Sequence, residues 1–320
     1  MGILSFDGKV LANVISAYIP EKGGIHPREA ARHHAEVAGE VLEKAFMRAG
    51  IKPRDVRVVA FSQGPGLGPC LRTGATAARA LASYLEVPLV GVNHCIAHIE
   101  IGKLVTQAKD PVTLYVSGGN TIVSAFEAGK YRVFGETLDI AVGNCLDVFA
   151  REAGLRQTEG SIPLGAMIEE LAGHGQTLIS LPYTVKGMDL SFSGLLTAAV
   201  QLLRDGKHRL EDLCFSLQEV AFSMLTEVTE RALAHTEKSE VLLTGGVAAN
   251  KRLQSMLNLV AEDHNARFCV VPKEFALDNG AMIAWAGILA FQHGMTVPVE
   301  KSFVKLKWRL EEVYVPWVKG

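Results

Sequence analysis

The chain has 320 residues, 48% hydrophobic and 21% charged, which is ordinary for a globular protein and enough for two domains with real cores. A formal net charge of −2 excludes a global basic field, so a nucleic-acid substrate would need a local basic patch or partner subunits. No apolar run reaches transmembrane length and no secretory pattern opens the chain, so no membrane is expected as a partner; five scattered cysteines without CxxC pairing fit a reducing cytosol.

In chain order, Gly2 to Phe6 reads as a short strand, Asp7-Gly8 as a hairpin turn and Val10 to Ile19 as the partner strand. Glu21 to His26 reads as a loop. Pro27 suits the first turn of a helix that runs to about Arg48 and is stopped by Gly50. A buried-type strand, Val56 to Ser62, leads into the glycine-rich Gln63 to Pro69 and then an Ala-rich helix to about Leu85. That loop suits either close approach to phosphate or a tight turn that needs glycines. Val87 to Val92 is a further short strand.

Asn93-His94-Cys95-Ile96-Ala97-His98 follows it. If a helix starts near His94, the two histidines lie four apart on one face and their imidazoles can point at one ion. Two packed or solvated histidines are the alternative. A three-stranded meander comes next, Pro111 to Ser117, Ile122 to Phe126 and Tyr131 to Thr137. Its Gly118-Gly119-Asn120-Thr121 corner could grip phosphate through backbone N–H groups and the Thr hydroxyl.

Helices are expected at about Asn144 to Ala153, Leu164 to Ala172, Ser193 to Arg204 and Leu210 to His235, with Leu181 to Gly194 a polar loop. Val241 to Thr244 is a buried strand running through Gly245-Gly246 into a helix over Lys251 to Asp263. Arg267 to Val271 is a strand, and Asp278-Asn279-Gly280 caps the last long helix. The tail from Lys301, with Lys305, Lys307, Trp308 and Arg309, reads first as a solvated terminal strand and alternatively as a contact for polyanions. The two halves repeat one order of elements, with the first half short of a strand and its corner. Such duplicated α/β halves hold ligands in a cleft at their strand ends.

Seven ordered motifs carry a resemblance to a known family. They are Phe61 to Gly68, Gly91 to Glu100, Leu114 to Thr121, Phe134 to Ile140, Lys186 to Gly194, Gly245 to Asn250 and Asp278 to Ala284. Together they resemble the archaeal and eukaryotic cytoplasmic type of tRNA threonylcarbamoyladenosine synthase, the catalytic subunit of the KEOPS/EKC complex. The resemblance implies an α/β fold of the actin/Hsp70/sugar-kinase (ASKHA) type, duplicated into two lobes with a ligand cleft between them. It implies an N-terminal lobe over residues 1–110 and a C-terminal lobe over 111–320. The second lobe would carry a helical insertion at about 143–235, and the final helix and tail could return to the first lobe. The family pattern has a further strand and a Gly-Thr corner ahead of the position of Gly2, so the N-terminal lobe is expected to lack its first strand.

The implied reaction transfers a threonylcarbamoyl group from threonylcarbamoyl-AMP to N6 of the adenosine 3′ of the anticodon in tRNAs reading ANN codons. The implied metal ligands are His94, His98, Tyr115 and Asp278, holding one divalent ion, iron or zinc, with magnesium as a further option. His94, His98 and Asp278 would thereby be the catalytic set. Contacts to threonylcarbamoyl-AMP or an ATP-type nucleotide would come from Tyr115, Val116, Ser117, Gly118, Gly119, Asp147, Gly165, Glu169 and Asn250. The departure from the family pattern at Glu159 to Gly165 makes Gly165 and Glu169 depend on the segment that follows them. Implied partners are tRNA and the KEOPS/EKC subunits, including a separate small protein kinase. The implied location is the cytoplasm, with the nucleus added for a eukaryotic source.

Three other readings are open. A metalloprotease of the HExxH kind is opposed by Cys95, which stands where the general base would be. An ASKHA-type ATPase or sugar kinase would turn over ATP with magnesium and need no His-bound metal. A non-catalytic, nucleotide-binding scaffold subunit is the third.

Overall fold

A computed structural model describes residues 1–20, 24–156 and 162–318. The strands are β1 Gly2–Leu4, β2 Val10–Asn13, β3 Val59–Gly64, β4 Leu89–Asn93, β5 Val112–Val116, β6 Thr121–Glu127, β7 Lys130–Glu136, β8 Val185–Lys186, β9 Asp189–Leu190, β10 Glu240–Thr244 and β11 Arg267–Val270. The helices are α1 Pro27–Ala49, α2 Gly68–Leu85, α3 His94–Thr106, α4 Val142–Glu152, α5 Leu164–Ala172, α6 Ser193–Asp205, α7 Leu210–Thr236, α8 Lys251–Asp263, α9 Lys273–Ala276 and α10 Gly280–Gln292. The chain divides into two compact units. One comprises Met1–Leu104, Glu127–Tyr131 and Asp278–Gly320, the other Val105–Phe126 and Arg132–Leu277.

The second unit is built on a five-stranded sheet in the order β11-β10-β5-β6-β7. β5 is buried along its whole length, as its unbroken apolar-and-Thr run Val112-Thr113-Leu114-Tyr115-Val116 requires of a central strand. β10 runs parallel to β5, pairing Leu243 with Leu114 and Thr244 with Tyr115. β6 returns antiparallel across the Ser117–Asn120 turn. Between β7 and β10 lie α4 to α7. α7 is long because Leu213, Leu217, Phe222, Leu225, Val228 and Ala232 line it with fully buried side chains.

The first unit holds an antiparallel hairpin, β1-β2, and a parallel pair, β3-β4. The pair is joined by the α2 crossover, whose small residues Ala75, Ala78 and Ala82 pack on Val59, Phe61 and Leu89. α10 lies hard against both pairs. A Cβ on Gly2 would overlap the backbone of Ala281, and one on Gly287 would overlap the Ala60 side chain. The hairpin and the parallel pair repeat the β6-β7 and β10-β11 relationships of the other unit. Among the described residues, none holds the place of β5 there.

Three expectations change. β2 ends at Asn13, short of Ile19, although the Val14 N–H still donates to Met1 O at 2.8 Å one residue further on. The polar stretch from Leu181 contains a small hairpin, β8-β9, turned by Gly187 at φ 65°. The tail is not a strand among its described residues; turns at Val299–Lys301 and Leu310–Glu312 bracket an extended strap. The Glu21 end of the first predicted loop and the Glu159 to Ser161 run lie outside the described residues. No helix among the described residues is long and apolar enough to cross a membrane.

Candidate metal centre

Two asparagine caps position the centre. Asn93 ends β4, and its Oδ1 accepts hydrogen bonds from the backbone N–H groups of Cys95 at 2.9 Å and Ile96 at 3.2 Å. That satisfies otherwise orphaned donors and starts α3 at His94. Asn279 does the same for α10, accepting from the Met282 N–H at 3.0 Å, and so fixes Asp278 just ahead of that helix. A carboxylate at a helix N-terminus is favoured by the exposed N–H dipoles.

His94 and His98 occupy successive turns of α3, with ring centroids 4.8 Å apart. Both Nε2 atoms meet one oxygen: Asp278 Oδ1 lies 3.3 Å from His94 and 3.2 Å from His98. The ligand atoms of the three residues all fall within 4.8 Å of one another. Two imidazoles can meet one carboxylate oxygen by each donating a proton, or around a cation that replaces those protons.

Burial pushes the His98 imidazole toward its neutral form, the form that can ligate; the Asp278 interaction opposes this. Partial loss of water around its inner oxygen acts to raise the Asp278 carboxyl, but the charge and hydrogen bonds of His94 and His98 outweigh it and hold the acid well below the usual range. The Asp278 side chain is 76% exposed, so solvent screening blunts that effect. Two nitrogen donors and one carboxylate fit iron or zinc better than calcium, and three protein ligands leave a coordination position open. Cys95, between the histidines in sequence, points into the core, and its thiol is pushed up to about 12 by burial and by the Asp278 charge. It is neither a ligand nor a nucleophile in that state.

The remaining predicted site residues lie in the second unit. Tyr115 is 2% exposed, and its hydroxyl accepts from Asn120 Nδ2 at 3.3 Å. Val116 and Tyr115 close on Gly245, where a Cβ would overlap the Val116 carbonyl; this close approach and a φ of 96° explain the first glycine of the Gly-Gly pair. Ser117 and Gly118 close on Gly143 in the first turn of α4, whose N–H donates to Ser117 O at 3.2 Å. Asp147 follows one turn later on α4, with its carboxyl raised by burial against the opposing effect of Arg151.

Glu169 on α5 accepts from the Lys251 N–H at 2.6 Å. The adjacent Asn250 caps α8 through Oδ1 and donates Nδ2 to Gln218 Oε1 at 2.8 Å. The structure thus brings Glu169 and Asn250 together at one helix start. Gly165 is the second residue of α5.

Two details of the Gly-Gly-Asn-Thr corner differ from expectation. The N–H groups of Gly119 and Asn120 donate to Ser117 Oγ at 3.3 and 3.0 Å, so this hydroxyl holds the donors expected to grip phosphate. The Thr121 hydroxyl is fully buried and accepts from the Val142 N–H at 2.9 Å, which makes it an anchor for α4 instead of a phosphate ligand. Sequence reasoning also assigned no role to Asn93, although an Asn directly before an HxxxH stretch is a cap signal. Asp139 was likewise without a role. It binds the hydroxyls of Ser191 and Ser193 and the Phe192 N–H at 2.9 Å, tying the turn before α4 to the start of α6.

Comparison with known proteins bears on the family and on the fold. The profile of the family "TsaD: tRNA N6-adenosine threonylcarbamoyltransferase" matches residues 9–285. The tRNA N6-adenosine threonylcarbamoyltransferase of Methanopyrus kandleri is 56% identical, with 99% of this chain and 92% of that protein covered. A probable bifunctional tRNA threonylcarbamoyladenosine biosynthesis protein of Methanocaldococcus jannaschii is 57% identical over all of this chain and 58% of its own length. Among solved structures, Thermococcus kodakarensis HypF matches 80% of this chain and 44% of its own with a TM-score of 0.62 at 15% identity. The activator of 2-hydroxyisocaproyl-CoA dehydratase from Clostridium difficile, with bound ADPNP, matches 92% of this chain and 91% of its own with a TM-score of 0.52 at 14% identity. These two likenesses bear on the fold, which is of the ASKHA type. With its profile match and its 56% identity to a full-length relative, the chain belongs to the TsaD family of tRNA N6-adenosine threonylcarbamoyltransferases.

Proposed function

We propose that this chain transfers the threonylcarbamoyl group of threonylcarbamoyl-AMP to N6 of the adenosine 3′ of the anticodon in tRNAs reading ANN codons. The observation that carries the reading, beside family membership, is the meeting of His94, His98 and Asp278 at the starts of two Asn-capped helices. These three residues would hold a divalent ion, iron or zinc, with Tyr115 as a fourth donor. When bound, such an ion supplies Lewis-acid polarisation of a carbonyl or phosphoryl oxygen.

The protein supplies position. Asn93 and Asn279 lock the backbone on which the ligands stand, so they need no rearrangement to act. Burial favours the neutral form of His98, the form that can ligate. In the other unit, Ser117 to Asn120, Asp147, Gly165, Glu169 and Asn250 would receive the adenylate. The Ser117 hydroxyl would release the N–H groups of Gly119 and Asn120 to phosphate oxygens, and the half-buried Asp147 would meet ribose or the adenine amine. The five cysteines are all unpaired, in keeping with a reducing cytoplasm. The KEOPS/EKC subunits, with a separate small kinase, are the proposed assembly.

The test is reconstitution of the full chain with threonylcarbamoyl-AMP, unmodified tRNA and partner subunits, read by nucleoside mass spectrometry beside metal analysis. His94→Ala/His98→Ala is expected to lose bound metal and modification while staying folded. Modification retained by the double variant would overturn the metal role. Formation of ADP and a sugar phosphate from ATP and a sugar, without modified nucleoside, would favour a kinase.

A further inference from the structure

The C-terminal strap is fastened largely by its backbone, with Ser302 and Val304 turned inward and most of its other side chains outward. Ser302 is buried, and Arg79 donates to its Oγ at 2.8 Å and to its carbonyl. Gln63 Nε2 donates to Phe303 O at 2.8 Å, and the Lys305 N–H donates to Gln63 O at 2.7 Å. The Gly66 N–H reaches Leu306 O at 3.4 Å. Asn93 Nδ2 donates to Trp308 O at 3.1 Å, and the same side chain caps α3 through its oxygen. Gly64 lacks a Cβ because one would overlap the Lys305 carbonyl. The glycines after β3, which the sequence left open between phosphate loop and tight turn, thus include one that admits the strap.

What remains outside is uniform in character. Lys301, Lys305, Lys307 and Arg309 are exposed, and residues 301–309 contain no carboxylate. Phe303 is 71% exposed, and Leu306 is half exposed beside Arg72, with both side chains reaching the position a Cβ would take on Gly68. Lys305 Nζ stands 4.1 Å from the centroid of the Trp308 ring. The nearest acids in sequence, Glu300 and Glu311, flank the strap, and Glu311 faces Arg309 at 3.6 Å. Cations on an immobilised backbone with an exposed aromatic among them match a nucleic-acid strand, with phosphates for the ammonium groups and a base face for the ring. On a chain whose formal charge is −2, polyanion affinity has to be local, and this is a local concentration of it.

Building on the proposed function, we infer that Lys301–Arg309, with Arg72, is a docking surface for the RNA substrate. It is held in register with the metal centre by Asn93, the residue that touches both. Its cations bind phosphates without reading sequence, and Phe303 stacks on an unpaired base.

The experiment uses the full chain and a fluorescein-labelled unmodified tRNA transcript, with binding followed by anisotropy from 50 to 200 mM salt. Lys301→Gln/Lys305→Gln/Lys307→Gln is expected to weaken binding at least about tenfold at low salt and to flatten the log–log salt slope by roughly one for each phosphate left without its cation. Phe303→Ala is expected to weaken binding with the slope unchanged. Lys305→Arg should bind as the parent does. Zinc content and melting temperature should match the parent in all variants, which separates a docking defect from a folding defect. Unchanged affinity and slope in the triple variant, or no tRNA binding by the parent chain, would overturn the inference. Loss of a protein partner with tRNA binding intact would also overturn it and make the strap a protein interface. Failure of the proposed function reads differently: the parent would bind tRNA through the strap and make no modified nucleoside.

Discussion

His98 Nε2 and Asp278 Oδ1 lie 3.2 Å apart although 180 residues separate them, and His94 shares the same oxygen. The contact joins the starts of α3 and α10 into one centre. Replacing Asp278 with Ala removes a proposed ligand without opening the core, because the side chain is largely exposed. Zinc affinity is expected to fall by more than about 100-fold, exceeding the losses typical of residues behind a ligand, with melting little changed. Competition titration against a chromophoric chelator measures the first, and calorimetry the second.

Asn93 carries two structural tasks, and its variants separate them. Asn93→Ala is expected to cost about 2 kcal/mol, from removal of a helix cap and of a buried hydrogen bond. Asn93→Ser keeps a capping oxygen but is too short to donate to Trp308 O, so it should recover about half of that loss. Urea unfolding of the two variants checks the split. Equal losses would show that the cap contributes nothing.

Gly64→Ala places a methyl group on the Lys305 carbonyl. The strap must shift or detach, at a cost of about 1–3 kcal/mol for overpacking. Faster tryptic cleavage at Lys305 and Lys307 is the expected signature, because attachment at Gln63 and Gly66 keeps this backbone from a protease. An unchanged cleavage rate would mean that the strap is not held there.

Asp139 gives a pH dependence with a definite sign. Burial would raise its carboxyl, but hydrogen bonds from Ser191, Ser193, Phe192 and Ile140 prevail and hold it far below the usual range. A folded-state pKa below the unfolded value, about 3.9, gives stability that is present above that value and lost as pH falls toward the folded one. The parent should therefore lose stability below about pH 4 through this residue. Asp139→Asn should start less stable at pH 7 and fall less steeply on acidification. Urea midpoints from pH 7 to pH 3 test this, and parallel curves for the two proteins would refute it.

Local signals made part of this molecule legible. The i, i+4 spacing of His94 and His98 is a property of one helix, and Asn279 before Gly280 is a cap in plain view. Asp278 as a third donor was reachable only through family likeness, because no periodicity links residues so far apart. The β8-β9 hairpin was missed because strands of two residues leave no alternation to detect. The strap was misread because it docks through Phe303 O, Lys305 N and Trp308 O, and main-chain atoms leave no mark in a pattern of side chains. The Thr121 hydroxyl was assigned to a ligand because a corner in sequence gives no hint that α4 returns to cover it.

The burial of Cys95 is shared by Cys145, Cys214 and Cys269, whereas Cys70 in the first turn of α2 is half open. A maleimide applied to the native chain should therefore mark Cys70 before any other thiol. The unaltered protein carries a ready attachment point for a dye, on the helix that follows the loop holding the strap.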